Sequence, residues 1–254
     1  MSFACDTDLA RPLPSPNHGE RRDGRKVDCL ILHYTGMATA EAALSRLSDP
    51  NAEVSCHYVV LEDGGIIQMV NEARRAWHAG AGIWKGESDL NSASIGIEIV
   101  NYGHDGNLPP YPQLQINSVI ALCRDILKRN IIAPQRVLAH SDIAPARKRD
   151  PGEHFPWAQL HEAGIGHYVA PVPISGGRFL ARGEQGQPVA ALQAMLALYG
   201  YGIEVNGSYD LATEQVVGAF QRHFRQERVD GVADASTITT LRDLIAALPV
   251  SRSG

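Results

Sequence analysis

Three side chains far apart in the chain carry the donor atoms of a catalytic metal site. His33 closes a strand-like run, VDCLILHYTG at Val27–Gly36, while His140 and Asp150 lie in the loop AHSDIAPARKRDPG at Ala139–Gly152. Two imidazoles and a carboxylate are a common ligand set for a catalytic zinc ion, which keeps its fourth position open for water. Such a site points to hydrolysis. Spacing alone leaves the reading open, because the chain has 10 histidines and a His–Asp pair in a loop arises easily by chance. His33 is also remote from its partners, and no compact HExxH or CxxC signature supports the set.

The elements that must position these residues read as a mixed α/β sheet with flanking helices. In Val27–His33 the residues Val27, Cys29, Ile31 and His33 share one strand face, and Leu30 and Leu32 share the other. Two apolar faces imply a strand covered on both sides. Ser94–Asn101 alternates again, with Ile95, Ile97 and Ile99 on one face and Gly96 and Glu98 on the other. A carboxylate in such a strand is costly without a partner, so Glu98 reads either as an active-site acid/base group or as half of a structural salt bridge. Strands are also predicted over Ser55–Glu62 and Gly65–Val70, joined by an Asp63-Gly64 turn, and over Val137–His140. Helices are predicted over Thr39–Leu47 and Leu114–Asn130.

Five segments in order, LILHYTGM, CHYVV, AWHAG, SIGIEIVN and AHSDIAPARKRDPG, resemble the zinc-dependent N-acetylmuramoyl-L-alanine amidases. That superfamily also holds phage endolysin amidases and peptidoglycan recognition proteins, and the resemblance covers about Pro16 to Leu160. It implies one zinc ion per chain on His33, His140 and Asp150, with Glu98 as general base. It further implies that Lys148 stabilises the oxyanion, where composition alone shows only a solvated Arg147-Lys148-Arg149 cluster. Some relatives use a tyrosine as the base, which makes Tyr58 the reserve for that role. Trp77, His78 and Ala79 resemble a substrate-contacting segment, and Asn101 is a further candidate for binding peptide or sugar. The bond implied is the amide between N-acetylmuramic acid, or its anhydro form, and L-alanine. The competing reading is a protein that binds muropeptides without cutting them; it would be favoured by loss of a ligand, and all three are present.

Residues 1–26 read as an extended arm, 27–168 as the catalytic domain, 169–187 as a Pro/Gly-rich linker and 188–250 as a three-helix module. The module contains a repeat, VNGSYDLAT at 205–213 and VDGVADAST at 229–237, each giving a turn and then an Asp placed to cap the next helix. It resembles the type 1 peptidoglycan-binding module, and its alternative is a helical cap that only stabilises the enzyme.

Composition excludes several classes of partner. The 254-residue chain is 44% hydrophobic and 20% charged, with a formal charge of −5, so it has no basic footprint for nucleic acid. No apolar run is long enough to span a membrane. Cys29, Cys56 and Cys123 fall in apolar runs as buried thiols, with Cys5 in the tail. The polar, Pro-rich N-terminus has no apolar core of a secretory signal, which points to the cytosol, whereas a wall-binding module points to the envelope; the module tips the expectation toward the envelope. Oligomeric state is not legible.

Overall fold

The computed structural model describes residues 4–248. Its strands are β1 (Arg11–Pro12), β2 (His18–Glu20), β3 (Cys29–Tyr34), β4 (Tyr58–Val60), β5 (Ile66–Gln68), β6 (Arg74–Ala76), β7 (Ser94–Ile99) and β8 (Val137–Ala139). Its helices are α1 (Ala40–Ser48), α2 (Leu90–Ala93), α3 (Gln113–Arg129), α4 (His140–Ile143), α5 (Trp157–Glu162), α6 (Gln187–Tyr199), α7 (Leu211–Phe224) and α8 (Ala235–Ala246). Six strands form a mostly parallel sheet in the order β1-β5-β4-β7-β3-β8, and β2 pairs with β6 apart from it.

The two-faced alternation of β3 and β7 is what places them at the centre. Leu30, Leu32, Ile95, Ile97 and Ile99 pack against Ile116, Val119, Leu122 and Ile126 of α3, whose apolar stripe recurs at helical spacing. Cys29 and Ile31, on the opposite face, belong to a second core shared with the C-terminal helices. Cys29, Cys56 and Cys123 are buried free thiols.

The N-terminal arm is stitched to the sheet. β1 runs parallel to β5 and β2 antiparallel to β6. Between them Ser15 Oγ donates to Leu47 C=O at 2.6 Å, and Asn17 Nδ2 donates to the carbonyls of Asp49 and Val54 at 2.8 and 2.9 Å. The part of the predicted arm at residues 1–3 lies outside the described residues.

His57, on the face of the sheet that carries Glu98, is locked neutral. Its Nδ1 accepts the Gly96 N–H at 3.0 Å, so Nε2–H is left to donate to Arg74 C=O at 3.1 Å. Burial, and then the nearby Arg21 guanidinium, pull its pKa from 6.5 to about 3. An unfolded chain protonates this ring near pH 6.5 and the folded chain does not. The stability His57 lends is therefore complete above pH 6.5 and is lost as the pH falls toward 3. At pH 5 this amounts to about 2 kcal/mol. Urea unfolding of the metal-free protein at pH 7.5 and pH 5 should show at least that loss, because the buried His33 and His78 act in the same direction. His57→Asn, whose Oδ1 can still accept the Gly96 N–H, should reduce it by about 2 kcal/mol.

In the C-terminal helices the sequence repeat is a repeated clamp. Asp210 and Asp234 cap α7 and α8 by accepting the N–H groups of Thr213 and Thr237, each at 2.8 Å. Gln193 and Gln221 each hold one turn, accepting from the backbone of Asn206-Gly207 and Asp230-Gly231 and donating to Thr213 and Thr237. These helices are docked on the catalytic domain. Trp84 is fully buried between edge-on Tyr199 and Tyr201, with ring centroids 6.0 and 5.0 Å away. Gly200, at φ +148°, leaves room for it, since a Cβ there would lie 2.6 Å from the indole. The 169–187 segment, expected as a linker, packs as a strap: Val172 N–H donates to Thr240 Oγ1 at 3.1 Å, and Leu180 bridges Ala233 through two 2.9 Å bonds.

Candidate metal centre and active site

Sheet register does what sequence spacing could not. Leu32 of β3 pairs with Ala139 of β8, so the next residues, His33 and His140, emerge side by side. The loop after α4 returns Asp150 to them, with Ser141 N–H donating to Asp150 C=O at 3.0 Å. His33 Nδ1 lies 2.9 Å from His140 Nδ1 and 3.1 Å from Asp150 Oδ2, and the third edge of the triangle is 2.9 Å. All three residues are buried, and they are the group able to hold a metal ion among the described residues.

The surrounding hydrogen bonds settle both tautomers. Ser94 Oγ spends its one proton on Leu90 C=O at 2.5 Å, so it must accept the Nε2–H of His78 at 3.3 Å. His78 Nδ1 is then a lone pair that takes the Nε2–H of His33 at 3.0 Å. The Nε2–H of His140 goes to Ala79 C=O, also at 3.0 Å. Both Nδ1 atoms therefore face the Asp150 carboxylate as lone pairs. Three acceptors this close repel one another unless a cation lies among them, and edges near 3 Å suit ligand bonds of about 2.0–2.1 Å. The residues fit a divalent metal.

Electrostatics agree with that fit. Burial and the adjacent His140 hold His33 down to about 4, so it stays neutral as a ligand must. Against its burial, the Asp150 carboxylate is held well below the usual range by positive charge at the two imidazoles; with both rings neutral, that charge is what a cation in the triangle would supply.

A model of the N-acetylmuramoyl-L-alanine amidase family matches residues 23–153, and a peptidoglycan binding domain family matches residues 185–241. The chain belongs to the N-acetylmuramoyl-L-alanine amidases. It is 38% identical over 226 residues to the amidase AmiD of Escherichia coli, covering 84% of this chain and 80% of that protein. It is 31% identical over 169 residues to the 1,6-anhydro-N-acetylmuramyl-L-alanine amidase AmpD of Enterobacter cloacae, covering 60% of this chain and 88% of that one. Among solved structures it resembles E. coli AmiD in complex with the substrate anhydro-N-acetylmuramic acid-L-Ala-D-gamma-Glu-L-Lys. That match has a TM-score of 0.73 and 36% identity, covering 89% of this chain and 91% of that one. It also resembles AmpDh3 of Pseudomonas aeruginosa, with a TM-score of 0.70 and 30% identity over 95% of this chain and 97% of that one.

In this amidase a cavity of about 290 Å³ opens over the donor triangle, lined by Tyr34, Met37, Arg46, Glu98, His140 and Lys148 among others. Glu98 pairs in register with His33 on the neighbouring strand, so its side chain rises on the same face. Its Oε2 is buried without a hydrogen-bond partner, and no salt bridge reaches it among the described residues. Burial and then Asp150 push the Glu98 pKa well up, against the pull of Lys148. The structural salt-bridge reading of Glu98 therefore finds no partner.

The remaining sequence candidates separate. Tyr58 is a correction: it pairs with Ile97, not Glu98, so it points to the opposite face, where its hydroxyl donates to Glu72 at 2.7 Å. Burial and that carboxylate push its pKa up, and it is no reserve base. Asn101 is a second correction, since Nδ2 donates to Pro109 C=O and Oδ1 accepts the Gly103 N–H, committing the amide to its own loop. Ala79 is buried and serves through its carbonyl, which also accepts from Arg147 at 3.0 Å. Trp77 is half-buried and outside the cavity lining. His78 touches the cavity and orients His33. Arg46 and Met37 also line the cavity; an Arg in an Ala-rich helix reads as an ordinary solvated position, and nothing in the spacing marks a Met in the turn before it.

Gly96 lies under the His78 ring, where a Cβ would come within 2.4 Å of it. Gly96→Ala should displace His78, lowering stability by about 1–3 kcal/mol and weakening metal binding about tenfold. Thermal unfolding and chelator competition would measure both.

Proposed function

We propose that this chain hydrolyses the amide joining N-acetylmuramic acid, or its anhydro form, to L-alanine, using one zinc ion on His33, His140 and Asp150. The observation that carries the reading is the triangle of three acceptor atoms whose tautomers leave no proton between them. Membership in an amidase family and the E. coli neighbour's named substrate support the choice of bond. When bound, zinc supplies a Lewis acid that polarises the carbonyl and lowers the pKa of water to about 7.

The chain's own groups do the rest. Glu98 accepts the proton of the attacking water and returns it to the departing alanine nitrogen, a role suited to a carboxyl whose pKa burial raises. Lys148, half-buried at the rim, places its ammonium against the oxyanion that forms on the carbonyl. His78 and the Ala79 carbonyl keep the two imidazoles oriented throughout.

A peptidoglycan binding domain family match beside the amidase supports polymeric wall as substrate and the envelope as the place of action. The test is a comparison of rates on intact sacculi and on soluble anhydro-muropeptides. Release from sacculi is expected; cleavage of soluble fragments alone would overturn the assignment of polymer and envelope.

A further inference from the structure

We infer that Tyr201 and His223 of the C-terminal module are positioning residues for the metal site, acting through Asp142; this rests on the zinc reading above. Asp142 lies two residues after His140 and is fully buried. Its Oδ2 accepts the N–H of Ala139, the residue immediately before His140, at 2.8 Å. The same oxygen meets His223 Nδ1 at 2.6 Å, and Oδ1 accepts the Tyr201 hydroxyl at 2.7 Å. Two of the three groups on this carboxylate thus come from the module, 59 and 81 residues away.

The arrangement is stiff on both sides. His223 is stacked between Trp157 and Phe224, with ring centroids 3.7 and 3.8 Å away. On the catalytic side, Asp142 closes the turn that carries His140, and Ser141 N–H joins that turn to the Asp150 backbone at 3.0 Å. A buried carboxylate oxygen that loses its donor is left unsatisfied at a cost in free energy, which turning toward another donor relieves. Turning would release Ala139 N–H and shift the backbone that aims His140. Metal donors must hold their places to within about 0.2 Å, so the module's two side chains bear on the metal although neither touches it. In this chain the module braces the hydrolytic site, whatever its grip on the wall.

The test uses the full-length protein as Tyr201→Phe, His223→Phe and His223→Asn; the last keeps a donor at the Nδ1 position. Zinc affinity is measured by chelator competition, kcat and KM on a soluble anhydro-muropeptide, and unfolding temperature on the zinc-free protein. Zinc affinity should fall about tenfold or more in both phenylalanine variants. In both, kcat should drop while KM holds, and His223→Asn should stay near the parent. Parental zinc affinity and kcat in both phenylalanine variants, with only the unfolding temperature lowered, would overturn the inference and leave the contact as domain adhesive. If a phenylalanine variant does not fold, His223→Asn against His223→Gln decides, since glutamine places its donor elsewhere; equal zinc affinity in that pair overturns the inference. The parent's own zinc binding and turnover report on the zinc reading, and the ratio of variant to parent reports on the brace.

Discussion

Glu98→Ala should retain zinc and lose turnover, with kcat down by about 10²–10⁴. The reason for separating the two effects is geometric. Glu98 is not part of the donor triangle, and it pairs with no cation among the described residues. Removing it takes away a buried carboxylate oxygen that has no partner, so the folded state should lose nothing and gain slightly. Zinc content by atomic absorption, unfolding temperature and kcat form the measurement. A fully active Glu98→Ala would remove Glu98 as the base, and Tyr58 could not inherit the role, because its hydroxyl lies on the other face of the sheet with Glu72.

His140→Ala should lose zinc and activity together. Its Nδ1 is one vertex of the triangle, and two remaining donors do not make a hydrolytic zinc site. The loss of affinity should exceed the roughly 10–100-fold that outer-shell changes produce. The fold should survive, because the Ala79 carbonyl, deprived of the His140 Nε2–H, still accepts from Arg147 at 3.0 Å. Zinc content near zero with a parental circular dichroism spectrum is the expected result. One zinc ion retained per chain would contradict the ligand assignment.

What the sequence made legible is local periodicity. The alternation of Ile95, Ile97 and Ile99 with Gly96 and Glu98 already separated core from site, and the structure keeps that division. The capping aspartates of the repeat could be read because a cap acts within three residues. What stayed hidden depends on which strand lies beside which. No spacing says that β8 pairs with β3, yet that register brings His140 to His33. Tyr58 was placed by motif, and strand pairing turned it away, since a one-residue offset reverses the face.

The docking of the C-terminal helices was equally hidden. A Pro/Gly-rich run reads as a spacer whether or not it packs, and Asp142 reads as one more polar residue in a loop. Only the fold shows Trp84 buried between Tyr199 and Tyr201, and Asp142 held beneath the module.

The most direct test of the account is mass spectrometry of the products formed from peptidoglycan with zinc, with a chelator, and after zinc is restored. Free stem peptides beginning with L-alanine should appear with zinc, vanish with the chelator and return on restoration. Zinc-loaded protein that releases no such peptides, or release that the chelator leaves untouched, would contradict a zinc amidase built on His33, His140 and Asp150.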